Sequence, residues 1–130
     1  MPWKDGYTIS DEASLADGEV RWPGGAGCAV SITLDLSVAE DGAGIRPQDL
    51  ASANAIFAMN DGLREVRAAL GRHDLKATVA VPAVMAEIYG DTIQALMAEG
   101  HEIAAEGFRH EDVSRLDRDE EQRRLARTTQ

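Results

Sequence analysis

The stretch GHEIAAEGFRHEDV, Gly100–Val113, packs three signals into fourteen residues. Gly100 suits the stop of a preceding helix, because it takes a left-handed backbone without a Cβ clash. The short apolar run that follows, about Glu102 to Ala105, reads as a strand. Just past it, Glu106 stands four residues before His110, so a carboxylate and an imidazole can meet where the strand ends. His101 and Glu102 begin like HExxH, but position 105 is Ala, so a zincin reading fails and the pair reads as a strand cap.

Working outward, DTIQALMAEG precedes this strand. Asp91 and Gln94 have capping-box spacing, and Ile93, Leu96 and Met97 form an apolar stripe, so an amphipathic helix is expected. A turn or helix is expected around Met85–Tyr89. Before it, KATVAVP, Lys76–Pro82, is a short strand closed by a proline that lacks the N–H a ladder needs. DGLREVRAALGRHDL places Leu63, Val66 and Leu70 on one helical face, with Asp61 as N-cap, Gly71 as the stop and His73 in a structural turn. CAVSITLDL, Cys28–Leu36, is dense in β-branched and apolar residues and predicts a strand buried on both faces, ending at Asp35. Ser37 to about Asn60 is expected to be a long functional loop. LDRDEEQRRLARTTQ repeats the capping-box spacing at Asp117 and Glu120, with acids before arginines as a helix dipole favours.

The order strand, helix, strand, helix, strand, helix predicts an α/β domain over 27–130 with right-handed crossovers and a parallel sheet. Residues 1–26, rich in Gly and Asp and closing on RWPGGAG, are expected to be an irregular arm. In parallel sheets function gathers at the carboxyl ends of strands, so Asp35, Glu106 and His110 are the candidates to converge over one mouth.

Composition narrows the partners. Thirteen Lys and Arg against 23 Asp and Glu leave a formal charge of −10, which repels nucleic acid. The start carries neither a basic nor an apolar signal segment, and no uncharged apolar run is long enough to cross a bilayer, so no membrane partner and a cytoplasmic location are expected. Cys28 is single, and its apolar neighbours predict a buried small hydrophobe. Gly62, Gly71 and Gly100 form no phosphate-cradling loop, and no nucleophile elbow is present.

RWPGGAGCAVSITLDLS, DLKATVAVP, AEGHEIAAEGFRHEDV and DRDEEQRRLART together resemble the N-terminal part of the polysaccharide deacetylase (NodB homology) family, carbohydrate esterase family 4, in particular its cytosolic allantoinase-like and cyclic-imidase-like branch. The resemblance runs from about Trp22 to Thr128. It implies a distorted (β/α) barrel and a hydrolase of C–N bonds that are not peptide bonds, with a small-molecule amide or amino-sugar substrate and a place in carbohydrate metabolism. In metal-dependent members a divalent ion such as Zn polarises the amide oxygen while a carboxylate takes a proton from the bound water. The resemblance carries the catalytic base over to Asp35, the second histidine to His110 and the first to Glu106. The metal-binding aspartate falls on Leu36, or on Ser37 in the branch that spaces the acids by one.

The metal site is therefore degenerate at Leu36 and Glu106. Glu106 and His110 are left as candidate ligands, and the cofactor is either none or a divalent metal. Relatives that manage without the usual metal keep catalysis open, with Asp35 and His110 as the catalytic residues. The bland alternatives are Asp35 as a loop cap, Glu106 as a solvated acid and His110 as a surface histidine paired with Glu111 or Asp112. The family's barrel is about twice this long, so the chain is expected to supply half a barrel, the rest coming from a second subunit, a second copy or a part of the parent protein lost to truncation. The alternative to a hydrolase is a non-catalytic half-barrel that completes a partner's active site.

Overall fold

The computed structural model describes Glu19 and residues 21–129. Most of the arm expected over 1–26 lies outside the described residues. The chain divides into two units, 1–30 and 31–130. In the first, Pro23–Gly25 forms a single 3-10 turn with Gly24 at φ 68°, and Cys28 is exposed. The expectation of a buried Cys28 is thus overturned, because the strand meant to bury it begins later.

The second unit carries three strands, β1 (Thr33–Asp35), β2 (Thr78–Val81) and β3 (Glu102–Ala105), in the order β1-β2-β3. Both pairs are parallel, with Asp35 level with Ala80 and Ala80 level with Ala104. Residues 28–32 were expected to belong to the first strand, yet the ladder begins only where β2 offers partners, through Thr78 N–H to the Ile32 carbonyl at 2.9 Å. Nor is β1 buried on both faces. Thr33 and Asp35 are exposed, since β1 lies at the edge of the sheet.

The expected loop over 37–60 is largely helical. α1 (Pro47–Leu50) and α2 (Ala53–Phe57) precede a wide turn over Ala58–Gly62, which runs without a break into α3 (Leu63–Arg72). Ser52 caps α2 by accepting the Ala55 N–H at 3.2 Å. The alanines that read as loop filler are strong helix formers. As a consequence Asp61 lies inside helical backbone and does not cap it, and Gly71 lies within α3 while Asp74 takes the left-handed turn at φ 50°.

Leu63 and Leu70 of α3 are buried as expected, whereas Val66 is 38% exposed. α4 (Ala83–Ile88) fills the turn before α5 (Gly90–Ala98). Tyr89 stands at the N-cap of α5 with no side-chain bond, so the Asp91–Gln94 box does not form, and Met97 is exposed while Ile93 and Leu96 are buried. Gly100, at φ 85°, stops α5. α6 (Arg118–Thr128) starts where the capping pattern put it, with Asp117 accepting the Glu120 N–H at 2.8 Å. Among the described residues no helix is long and apolar enough to cross a membrane.

The core sits over β2. Val79, Val81, Met85 and Leu96 pack with Leu36, Ile45, Met59, Leu63 and Ile93. His101 joins its margin as a strand tie: its buried Nδ1 accepts the Ala77 N–H at 3.2 Å, which leaves Nε2 toward the Glu99 carboxylate at 3.7 Å.

Candidate active site at the carboxyl ends of β1 and β3

Each site residue is placed by the end of a strand. Asp35 is the last residue of β1, and its Oδ1 accepts the Ser37 N–H at 2.6 Å, turning the chain away from the sheet. Leu36 bonds back to Ala80 through its N–H at 3.0 Å and drops its side chain into the core. On the other side, Glu106 leaves β3 bonded through its N–H to the Val81 carbonyl at 3.1 Å. His110 Nδ1 meets Glu106 Oε1 at 3.2 Å. The histidine's partner is therefore Glu106, and not Glu111 or Asp112, which bind Arg124 and Ser114 with Arg115 instead.

Asp35 acts on Glu106 as well. Burial pushes the Glu106 carboxyl above its ordinary value, and the Asp35 charge pushes it further, while His110 pulls the other way. Two ionised carboxylates have no proton to share, and in that state Glu106 Oε2 is buried without a partner. Desolvation and like charge thus both favour a carboxylic acid at Glu106.

Glu106 and His110 line an open cleft of about 610 Å³ together with Glu40, Asp41, Glu111 and Asp112. Asp35 instead lines a smaller apolar groove of about 290 Å³ with Phe57, Met59 and Val66. Asp35 therefore lines a different depression from Glu106 and His110, so the expected single mouth is not formed by these three side chains.

Sequence reasoning missed the frame that holds them. The loop after β1 is joined to the loop after β3: Ile45 N–H donates to the Arg109 carbonyl at 2.7 Å, Arg109 Nε donates to the Ile45 carbonyl at 2.8 Å, and Asp112 N–H donates to the Gly42 carbonyl at 3.0 Å. A Cβ on Gly44, at φ 82°, would stand 2.8 Å from the Arg109 carbonyl oxygen, so only glycine allows this approach. Beneath it Asp49 is fully buried and accepts the Arg46 N–H at 2.8 Å, with the Arg46 guanidinium on both of its oxygens at 3.2 Å. The one legible signal was proline at the start of α1 with an acid at its third position, a helix-start pattern.

A divalent ion finds a poor seat. Leu36 is 7% exposed within the core, Ser37 has no carboxylate, and Glu106 and His110 alone fall short of the three protein ligands a catalytic zinc takes. Among the described residues no group of three or more His, Cys, Asp or Glu side chains is arranged to hold a metal. The donor set does not fit the metal that the resemblance implies.

Two solved structures share this fold. The PuuE allantoinase superposes with a TM-score of 0.69 at 21% identity, over 82% of this chain and 42% of its own. A Mycobacterium smegmatis protein assigned as a polysaccharide deacetylase superposes with a TM-score of 0.61 at 26% identity, over 84% of this chain and 40% of its own. The chain therefore spans about two fifths of the length of each. No curated protein matches. The polysaccharide deacetylase family model matches residues 53–130, which include β2, β3, Glu106, His110 and α6. With more than half of its length under that match, and with the parallel β1-β2-β3 sheet to go with it, the chain belongs to the polysaccharide deacetylase family.

Proposed function

We propose that this chain carries the Asp35, Glu106 and His110 part of a hydrolase that cleaves a non-peptide C–N bond in a small amide or an N-acylated amino sugar. One observation supports it above the rest: His110 Nδ1 stands 3.2 Å from Glu106 Oε1 just past β3, and Asp35 at the end of β1 is close enough for its charge to act on Glu106. Asp35 is the base. It takes a proton from water as the oxygen adds to the amide carbon, giving a tetrahedral intermediate. Glu106 or His110 gives a proton to the leaving nitrogen as the C–N bond breaks, yielding a carboxylic acid and an amine. No step needs a metal, so a chelator is expected to leave turnover unchanged.

The strands that flank β1 and β3 in a full barrel come, on this reading, from a second subunit, a second copy, or a longer form of the polypeptide. The cytoplasm is the proposed location. A second reading, a non-catalytic half-barrel that completes a partner's site, is favoured by Leu36, whose apolar side chain fills the core where relatives carry a metal-binding acid.

Solution mass and hydrolysis of N-acetylated and cyclic amides, with wild type and Asp35→Asn, separate the two. Turnover that survives chelation and falls at least a hundredfold in Asp35→Asn (~10²–10⁴ for a lost general base) is the result expected of a hydrolase. Assembly with a partner whose turnover is indifferent to Asp35→Asn sinks that reading and leaves the half-barrel role.

A further inference from the structure

His110 sits at φ 55°, a left-handed conformation unusual for a residue with a Cβ. A side chain does not hold such a turn unaided. Glu111, whose side chain is only 5% exposed, reaches back across His110: its Oε2 accepts the Arg109 N–H at 2.6 Å and closes the turn. Its other oxygen, Oε1, takes Arg124 Nη1 from α6 at 2.6 Å. Arg124 is fixed in turn by Glu120 Oε1 at 2.6 Å, one helical turn earlier. The turn is braced from the far side too, because the Arg109 carbonyl and guanidinium are both tied to Ile45.

The aim of the His110 imidazole at Glu106 therefore depends on a carboxylate that touches neither. Glu111 stands on the cleft wall, yet both of its oxygens are engaged, one by backbone and one by guanidinium.

We infer that Glu111, anchored by Arg124, is a positioning residue that sets the His110 turn and so holds the imidazole on Glu106. The inference rests on the proposed role of His110 only for its consequence in catalysis; the geometry is read without turnover.

The test uses imidazole ¹⁵N resonances at fixed pH. In the parent protein, Glu106→Gln should shift the His110 nitrogens while leaving those of His101, the buried marker of a folded sheet, in place. In Glu111→Ala with His101 unchanged, the same Glu106→Gln substitution should no longer move His110. A His110 that still responds fully to Glu106→Gln in the folded Glu111→Ala protein overturns the inference. If Glu111→Ala loses the His101 signal, Arg124→Gln decides instead: it empties only the α6 half of the brace, and should weaken the His110 response, whereas an undiminished response overturns the proposal. A hydrolase reading that fails in the Asp35→Asn assay leaves this result standing, and the converse also holds.

Discussion

β1 and β2 run side by side, Thr33 level with Thr78 and Asp35 with Ala80, yet Val79 and Val81 of β2 are 0% and 3% exposed while Thr33 and Asp35 of β1 are open to solvent. The central strand has a hydrogen-bonded neighbour on each side and helices packed on it. Each edge strand has one neighbour among the described residues. Burial is therefore concentrated around β2, and the proposed chemistry sits where β1 and β3 run out into polar loops. Leu36 and Glu106 show the divide most sharply. On the proposed reading both fall where metal-dependent members of the family carry ligands; Leu36 lies in the core, whereas Glu106 pairs with His110 at the mouth.

The comparison can be broken at its boundary first. Leu36→Asp restores an acid at β1, but it would bury a carboxylate in an apolar cluster, and a loss of about 3–5 kcal/mol in urea unfolding is expected. A variant as stable as the parent would mean that the end of β1 is not core. Next, Leu96→Ala, at a fully buried position, should cost about 3 kcal/mol, and Leu34→Ala, on the half-buried edge strand, about 1 kcal/mol. Equal losses would erase the contrast between centre and edge.

At the mouth, Glu111→Ala leaves the Arg109 N–H without its side-chain acceptor and Arg124 with Glu120 alone. Discounted for the 23% exposure of Arg124, the expected loss is about 2 kcal/mol, read as a lower denaturation midpoint. The smallest effect is Glu106→Gln, and it depends on pH. The folded pKa of Glu106 lies above its ordinary value of 4.5, so the folded state holds this proton more tightly than the unfolded chain does. That stability is complete below the unfolded pKa and is lost as pH rises through the folded one. Glu106→Gln should therefore stabilise the protein relative to wild type near neutral pH, by about 1 kcal/mol or less, with the advantage vanishing below pH 4.5. An advantage that grows on acidification would contradict the assignment.

Much of this was legible in the chain. β3 has the bounds read from the sequence, Glu102–Ala105, because Gly100 and Gly107 punctuate a short apolar run. β1 was read too long, since a β-branched run does not reveal where its partner begins, and the ladder starts only opposite Thr78. The helices over 47–57 were hidden by Pro47, Asn60 and Gly62, which look like loop punctuation although Ala53, Ala55 and Ala58 favour helix. The places of Asp35, Glu106 and His110 were legible because Asp35 ends β1, while Glu106 and His110 follow the end of β3 by one and five residues. The frame around them was not. Arg109 and Ile45 are 64 residues apart, Glu111 and Arg124 are 13 apart on different elements, and such pairs carry no local spacing signal.

The approach of Asp35 to Glu106 is central to the proposed chemistry, and the Glu106 side-chain ¹³C carboxyl resonance followed against pH in wild type and in Asp35→Asn reads it directly. The midpoint should lie above 4.5 in wild type and fall in Asp35→Asn, because the charge that raises it is gone. A wild-type midpoint at or below 4.5, or one that Asp35→Asn leaves unmoved, would contradict it.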